Sequence, residues 1–149
     1  MIFASDLDQT LIYSPKSFRL LPEEPMPAVT SIEIYEGREI SFMADDTIER
    51  LEKIARRSFF VPVTTRTIAQ YQRISLFHQK IKPTYAVVSN GGNLIINGVV
   101  DKAWQGIIDM KMNQLCLNTE DMRANLQELC HPSWAGSIRM ADGLFYYCV

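Results

Sequence analysis

Asp6 and Asp8 stand two residues apart, directly after the short run Ile2-Phe3-Ala4-Ser5. A strand ending there would deliver both carboxylates to one polar loop, while Leu7 between them turns toward the core. Two acids at one site attract a hard divalent cation such as magnesium, and an aspartate can attack phosphorus to form an acyl phosphate. The neighbouring acid can protonate the leaving oxygen. The plain alternative is a pair of strand-end aspartates serving as turn or cap residues.

Two further polar segments follow apolar runs in the same manner. Thr64-Thr65-Arg66 follows Val61-Pro62-Val63, and Ser89-Asn90-Gly91-Gly92 follows Tyr85-Ala86-Val87-Val88. A hydroxyl and backbone N–H groups at a helix start suit a phosphoryl group, because unpaired amides and the helix dipole both favour anions. Arg66 reads equally as a functional residue, adding charge or binding a leaving group, and as a surface residue. Asn90-Gly91 has a bland reading as a turn former, which is compatible with a place in a site.

The elements that must position these residues follow from periodicity. Residues 2–5, 59–63 and 85–89 read as buried strands, separated by helical spacing over 45–55 (Ile48, Leu51, Ile54, Ala55) and 68–77. Asp45 or Asp46 is the expected cap of the first helix. This βαβ rhythm predicts parallel strands with helical crossovers. Between the first strand and the first helix, a stretch with Pro15, Pro22, Pro25 and Pro27 precedes alternating segments 30–35 and 38–42 around Glu36-Gly37, a β-hairpin.

Beyond residue 92 the style changes. Asn97-Gly98 and Asp142-Gly143 are flanked by strand-like segments, and residues 105–117 and 119–130 read as helices, the second capped by Asn118 or Thr119. The chain therefore divides into 1–92 and 93–149, with the α+β character of the second unit setting in near Trp104. No internal repeat, low-complexity tract or long linker interrupts it.

Composition narrows the field. A chain of 149 residues with 47% hydrophobic and 21% charged residues can bury one sizeable core. A net charge of −2 argues against a nucleic-acid binder, and the opening residues lack a basic secretory leader. No apolar run approaches a membrane span, so the expected address is the cytoplasm. Cys116, Cys130 and Cys148 have no metal-ligand spacing and read as buried free thiols. His78 and His131 read as helix-surface or helix-end residues without a Ser, Cys or metal-binding partner. Tyr146, Tyr147 and Trp134 read as packing, with pocket lining as the alternative. Arg56-Arg57 reads as solvated charge near a helix end.

Asp6-Leu7-Asp8-Gln9-Thr10-Leu11 resembles the DxDxT signature of phosphatases of the haloacid dehalogenase (HAD) superfamily, preceding strand included. Val61 to Arg66 resembles the strand plus Thr-Gly-Arg of its sugar-phosphatase-like members, with Thr65 in place of the glycine. Ser89-Asn90-Gly91 resembles the segment leading into the cap of the Cof-type, C2-capped branch. The resemblance implies an α/β fold: a partial Rossmann-like parallel sheet, the 30–42 hairpin as a flap, and 93–149 as an incomplete α+β C2-type cap.

By the same resemblance, Asp6 is the nucleophile and a magnesium ligand. Asp8 is the general acid/base and lends the metal its backbone carbonyl. Thr10 shapes the loop, Thr64 binds phosphate, and Thr65, Arg66 and Asn90 complete the phosphate-binding set. The implied activity is magnesium-dependent hydrolysis of a small phosphomonoester, a sugar phosphate by analogy.

Family members continue to a Lys and a second acidic motif that this sequence lacks, so the expectation is a chain truncated within the cap, with Ile2 to Ser5 left as an edge open to self-association. The alternative is a catalytically incomplete phosphate-binding or protein-interaction module derived from such an enzyme.

Overall fold

A computed structural model describes residues 1–21 and 23–149; Pro22, in the proline-rich stretch, lies outside the described residues. In chain order the first half comprises β1 (Ile2–Ser5), a 3-10 turn (Pro15–Ser17), β2 (Val29–Tyr35), β3 (Arg38–Ala44), α1 (Asp45–Ala55), β4 (Phe59–Pro62), α2 (Ile68–Gln72), α3 (Leu76–Gln79) and β5 (Tyr85–Val88). The second half comprises β6 (Asn93–Ile96), β7 (Val99–Val100), α4 (Lys102–Leu115), α5 (Thr119–Leu129), β8 (Ile138–Ala141) and β9 (Phe145–Cys148). The chain is a mixed α/β protein built on small sheets, some parallel and some antiparallel. No described helix is long and apolar enough to cross a membrane.

β1 and β4 pair in parallel from Ile2 with Phe59 to Ser5 with Pro62. One residue further on, Val63 pairs with Val87 in parallel, and Thr64 N donates to Val87 O at 2.9 Å. The carboxyl ends of β1, β4 and β5 therefore lie side by side. β6 returns antiparallel to β5, and β7 pairs with β6. The core beneath these strands includes Leu7, Ile32, Met43, Leu51, Phe60 and Ile74, all nearly inaccessible to solvent. α1 contributes Ile48 and Leu51, one turn apart on its inner face.

Several expectations need correction. Neither Asp45 nor Asp46 caps α1: the N-cap is Ala44, and both acids lie in the first turn, where negative charge suits the helix dipole. The Asp45 carboxylate instead accepts the Thr30 hydroxyl at 2.6 Å. The helix expected over 68–77 is broken, because Ile74 forms a bridge with Glu33 and Ser75 gives both its N–H and its hydroxyl to Ile32 O. α4 starts earlier than expected, at Lys102, since the Asp101 side chain caps it through Trp104 N. For α5 the Asn118 side chain is the cap.

The 30–42 hairpin extends to Val29 and Ala44, with a register irregularity around Ile32 and Glu33. Strict alternation would point Glu33 outward and Ile34 inward. Instead Ile32 and Glu33 are both buried and Ile34 is exposed. A bulge has this effect: one extra residue turns the next side chain to the opposite face. Cys116 is exposed and Cys130 and Cys148 are half-buried, so none of the three is the fully buried thiol expected. His131 does meet a serine: its Nδ1 lies 2.7 Å from Ser133 Oγ and also accepts Ser133 N–H, an exposed contact within one turn.

Candidate active site

The loop after β1 is organised around Leu7. Its side chain is fully buried, and its carbonyl accepts the amides of Thr10, Leu11 and Ile12. Folding back so tightly places Gln9 in the left-handed region (φ 61°), an uncommon conformation outside glycine. The turn leaves Asp6, Asp8 and Thr10 at the surface. Thr10 Oγ1 donates to Asp6 Oδ2 at 3.1 Å, which orients the carboxylate. Among the described residues, no hydrogen bond uses the backbone N–H of Leu7, Asp8 or Thr65. Main-chain donors without a protein partner at adjoining strand ends suit an anion.

Asp8 is held differently. Both its oxygens accept from Arg66, Nε to Oδ2 at 2.9 Å and Nη2 to Oδ1 at 2.8 Å. The same guanidinium donates from Nη1 to Glu33 Oε2 at 2.7 Å, and Arg73 Nε donates to Glu33 Oε1 at 2.9 Å. Ser41 adds a 2.6 Å hydrogen bond to Glu33 Oε2. Arg66 is thus neither a surface residue nor free charge for an anion, but the link between two carboxylates. Its burial opposes the charged form, and the hydrogen bonds to Asp8 and Glu33 outweigh that, raising its pKa further.

Thr64 is buried, and its hydroxyl accepts Arg66 N–H at 3.2 Å. The start of α2 is not open to an anion, contrary to expectation. Thr67 and Gln70 form a capping box that occupies each other's amides, and Ile68 N–H donates to Asp142 Oδ2 at 2.9 Å.

Ser89, Asn90 and Gly91 carry three consecutive positive φ values of 54°, 55° and 86°. For the first two this is a strained conformation of about 1 kcal/mol each, of the kind that collects at functional sites. Ser89 Oγ donates to Asp142 Oδ2 at 2.5 Å and accepts from Asn93 Nδ2, whose amide oxygen accepts from Gln105. Core strand, helix α4 and the tip of the β8–β9 hairpin are thereby joined. Gly92 lies so close under Leu144 that a Cβ would collide with it.

A cavity of about 500 Å³ opens beside this network. Asp8, Thr65, Arg66 and Asn90 contribute to its wall, together with Phe145 and Tyr147 from β9. Tyr147, expected in packing, is a lining residue. Asp6, Thr10 and Thr64 are not among the residues lining the cavity, although Asp6 and Thr64 follow the adjoining ends of β1 and β4. Glu33, Ser41 and Arg73 also line it and were not evident as site residues in the sequence.

Magnesium accepts one or two carboxylates and keeps several waters. The described residues contain no group of three or more acidic, His or Cys ligands. Of the two acids after β1, only the exposed Asp6 carboxylate is left without an arginine partner among the described residues, because the Asp8 carboxylate is committed to Arg66. A scan against models of known protein families matches none of them, and a search of the curated proteins returns no significant match.

Proposed function

We propose that the chain is a magnesium-dependent phosphomonoesterase of the haloacid dehalogenase type, acting on a small phosphorylated metabolite. In this reading β1, β4 and β5 belong to a Rossmann-like core sheet, β2 and β3 form the flap, and residues 93–149 belong to the cap. The observation that carries the reading is Asp6, oriented by Thr10 and exposed at the shared end of the parallel strands beside main-chain N–H groups without protein partners. Those N–H groups would hold the phosphoryl oxygens while an Asp6 oxygen attacks phosphorus in line with the leaving oxygen. The ester P–O bond breaks and the alcohol leaves with a proton from Asp8; water, giving a proton back to Asp8, then attacks the aspartyl phosphate, releasing phosphate and restoring Asp6. Bound magnesium would offset the repulsion between the Asp6 carboxylate and the phosphate.

For that role Asp8 must exchange its paired contacts with Arg66 for the leaving oxygen. The same pairing favours a second reading, a phosphate-binding module without turnover. Phosphate release from a panel of phosphomonoesters, with and without magnesium, separates the two. Under the first reading, release depends on the metal and falls by at least about a thousandfold in Asp6→Asn. Phosphate binding without release supports the second reading.

A further inference from the structure

Arg73 lines the cavity, and only one of its guanidinium nitrogens is engaged. Nε donates to Glu33, whereas Nη1 and Nη2 have no hydrogen-bond partner among the described residues. The guanidinium is nevertheless fixed in place: its carbon lies 4.6 Å from the centroid of the Tyr35 ring, and the buried Glu33 holds its inner edge. A rigid fork with two open terminal nitrogens matches the two oxygens of a planar anion.

The other charges of the wall are already matched. Asp8 and Glu33 face Arg66 and Arg73, so the four side chains sum to no net charge. Such a wall carries no excess positive charge to offset the desolvation of a second doubly charged phosphate, and a singly charged carboxylate costs less to place there. Phe145 and Tyr147 contribute aromatic surface suited to a short carbon skeleton. A volume of about 500 Å³ holds a small metabolite.

We infer that Arg73 is a specificity residue that receives a carboxylate of the substrate, so that the preferred ligands are small phosphorylated carboxylic acids. The inference rests on the phosphomonoesterase reading for the phosphate end of the ligand; the carboxylate end is assigned by Arg73.

Phosphoglycolate and ethyl phosphate differ by a terminal carboxylate against a methyl group. Calorimetric titration of the folded 149-residue chain with each, without magnesium so that neither is hydrolysed, measures the preference directly. The wild-type chain is expected to bind phosphoglycolate about tenfold more tightly, and Arg73→Gln to reduce that preference to about twofold or less. Arg73→Lys keeps a charge beside Glu33 without the planar fork and is expected to lose most of the preference too, so it serves if Arg73→Gln does not fold. Equal binding of the two ligands by the wild-type chain, failure to bind either, or a preference that survives both substitutions overturns the inference. A preference that depends on Arg73 without any phosphate release would refute the hydrolytic reading and keep the carboxylate site. Release without a preference would do the reverse.

Discussion

Both oxygens of the Glu33 carboxylate are occupied, Oε2 by Ser41 and Arg66 and Oε1 by Arg73, at a position only 1% exposed. Burial alone would push this carboxyl up, but the hydrogen bonds from Ser41, Arg66 and Arg73 and the Arg66 charge outweigh it and hold it below the ordinary glutamate range. A carboxyl with a depressed folded value contributes stability that is fully present above its unfolded value of about 4.3, and that is lost as pH falls through the folded value. Glu33→Gln keeps the shape but leaves two guanidinium groups against a neutral amide, at a cost of about 3 kcal/mol at neutral pH. Its acid-induced loss of stability should also be shallower than that of the parent. Urea unfolding at neutral and acid pH measures both effects, and an unchanged acid slope in the variant would remove Glu33 from the account. The placement of Asp6, Asp8, Thr64 and Arg66 at strand ends was legible because each follows an apolar run, whereas the link that Arg66 makes between two carboxylates was not. Glu33 was not, because the segment Thr30 to Tyr35 alternates as an ordinary half-buried strand, and only the irregular pairing of β2 with β3 turns its carboxylate inward.

At the level of elements, the hairpin turns were the most readable features. Glu36-Gly37, Asn97-Gly98 and Asp142-Gly143 all adopt positive φ at both central residues, as two-residue turns between twisted strands require. The break at Ile74 was hidden because apolar spacing continues across it, and the reason for the break lies on β2. Cys130 and Cys148 were equally unreadable as a pair, since their proximity depends on β9 packing beside the end of α5. Their sulfur atoms lie 3.0 Å apart, and the hydrogen bond with Cys148 raises the pKa of the Cys130 thiol. Oxidised glutathione should therefore convert the pair to a disulfide, two thiol hydrogens leaving as two molecules of reduced glutathione, faster as pH rises and thiolate forms. Closing a loop between residues 18 apart in sequence should stabilise the chain by about 3 kcal/mol. Non-reducing peptide mapping and melting before and after oxidation check both points. Cys116→Ser should leave the reaction intact, and capture of glutathione at Cys116 alone would show that the pair does not close.

Across the whole molecule, burial is uneven. The main hydrophobic cluster draws on residues between Leu7 and Ile95, whereas neither α4 nor α5 contains a buried residue. Among the described residues β1 pairs with β4 on one side only, and Ile2 is 71% exposed at the end of the sheet. An apolar strand with one free edge is a template for another strand, and charge placed on such an edge is the usual means of blocking it. The chain is therefore expected to self-associate through β1, with sedimentation coefficients that rise with concentration in the micromolar range. Ile2→Lys should shift the equilibrium toward monomer while leaving the thermal midpoint nearly unchanged, because the replaced side chain is largely in solvent. Leu129→Glu is the matching control on the helical face, since Leu129 is 72% exposed at the end of α5. If association is driven by the sheet edge, only Ile2→Lys weakens it. If Leu129→Glu disperses the chain and Ile2→Lys does not, the contact lies on the exposed helical face and the free edge of β1 is not what joins the copies.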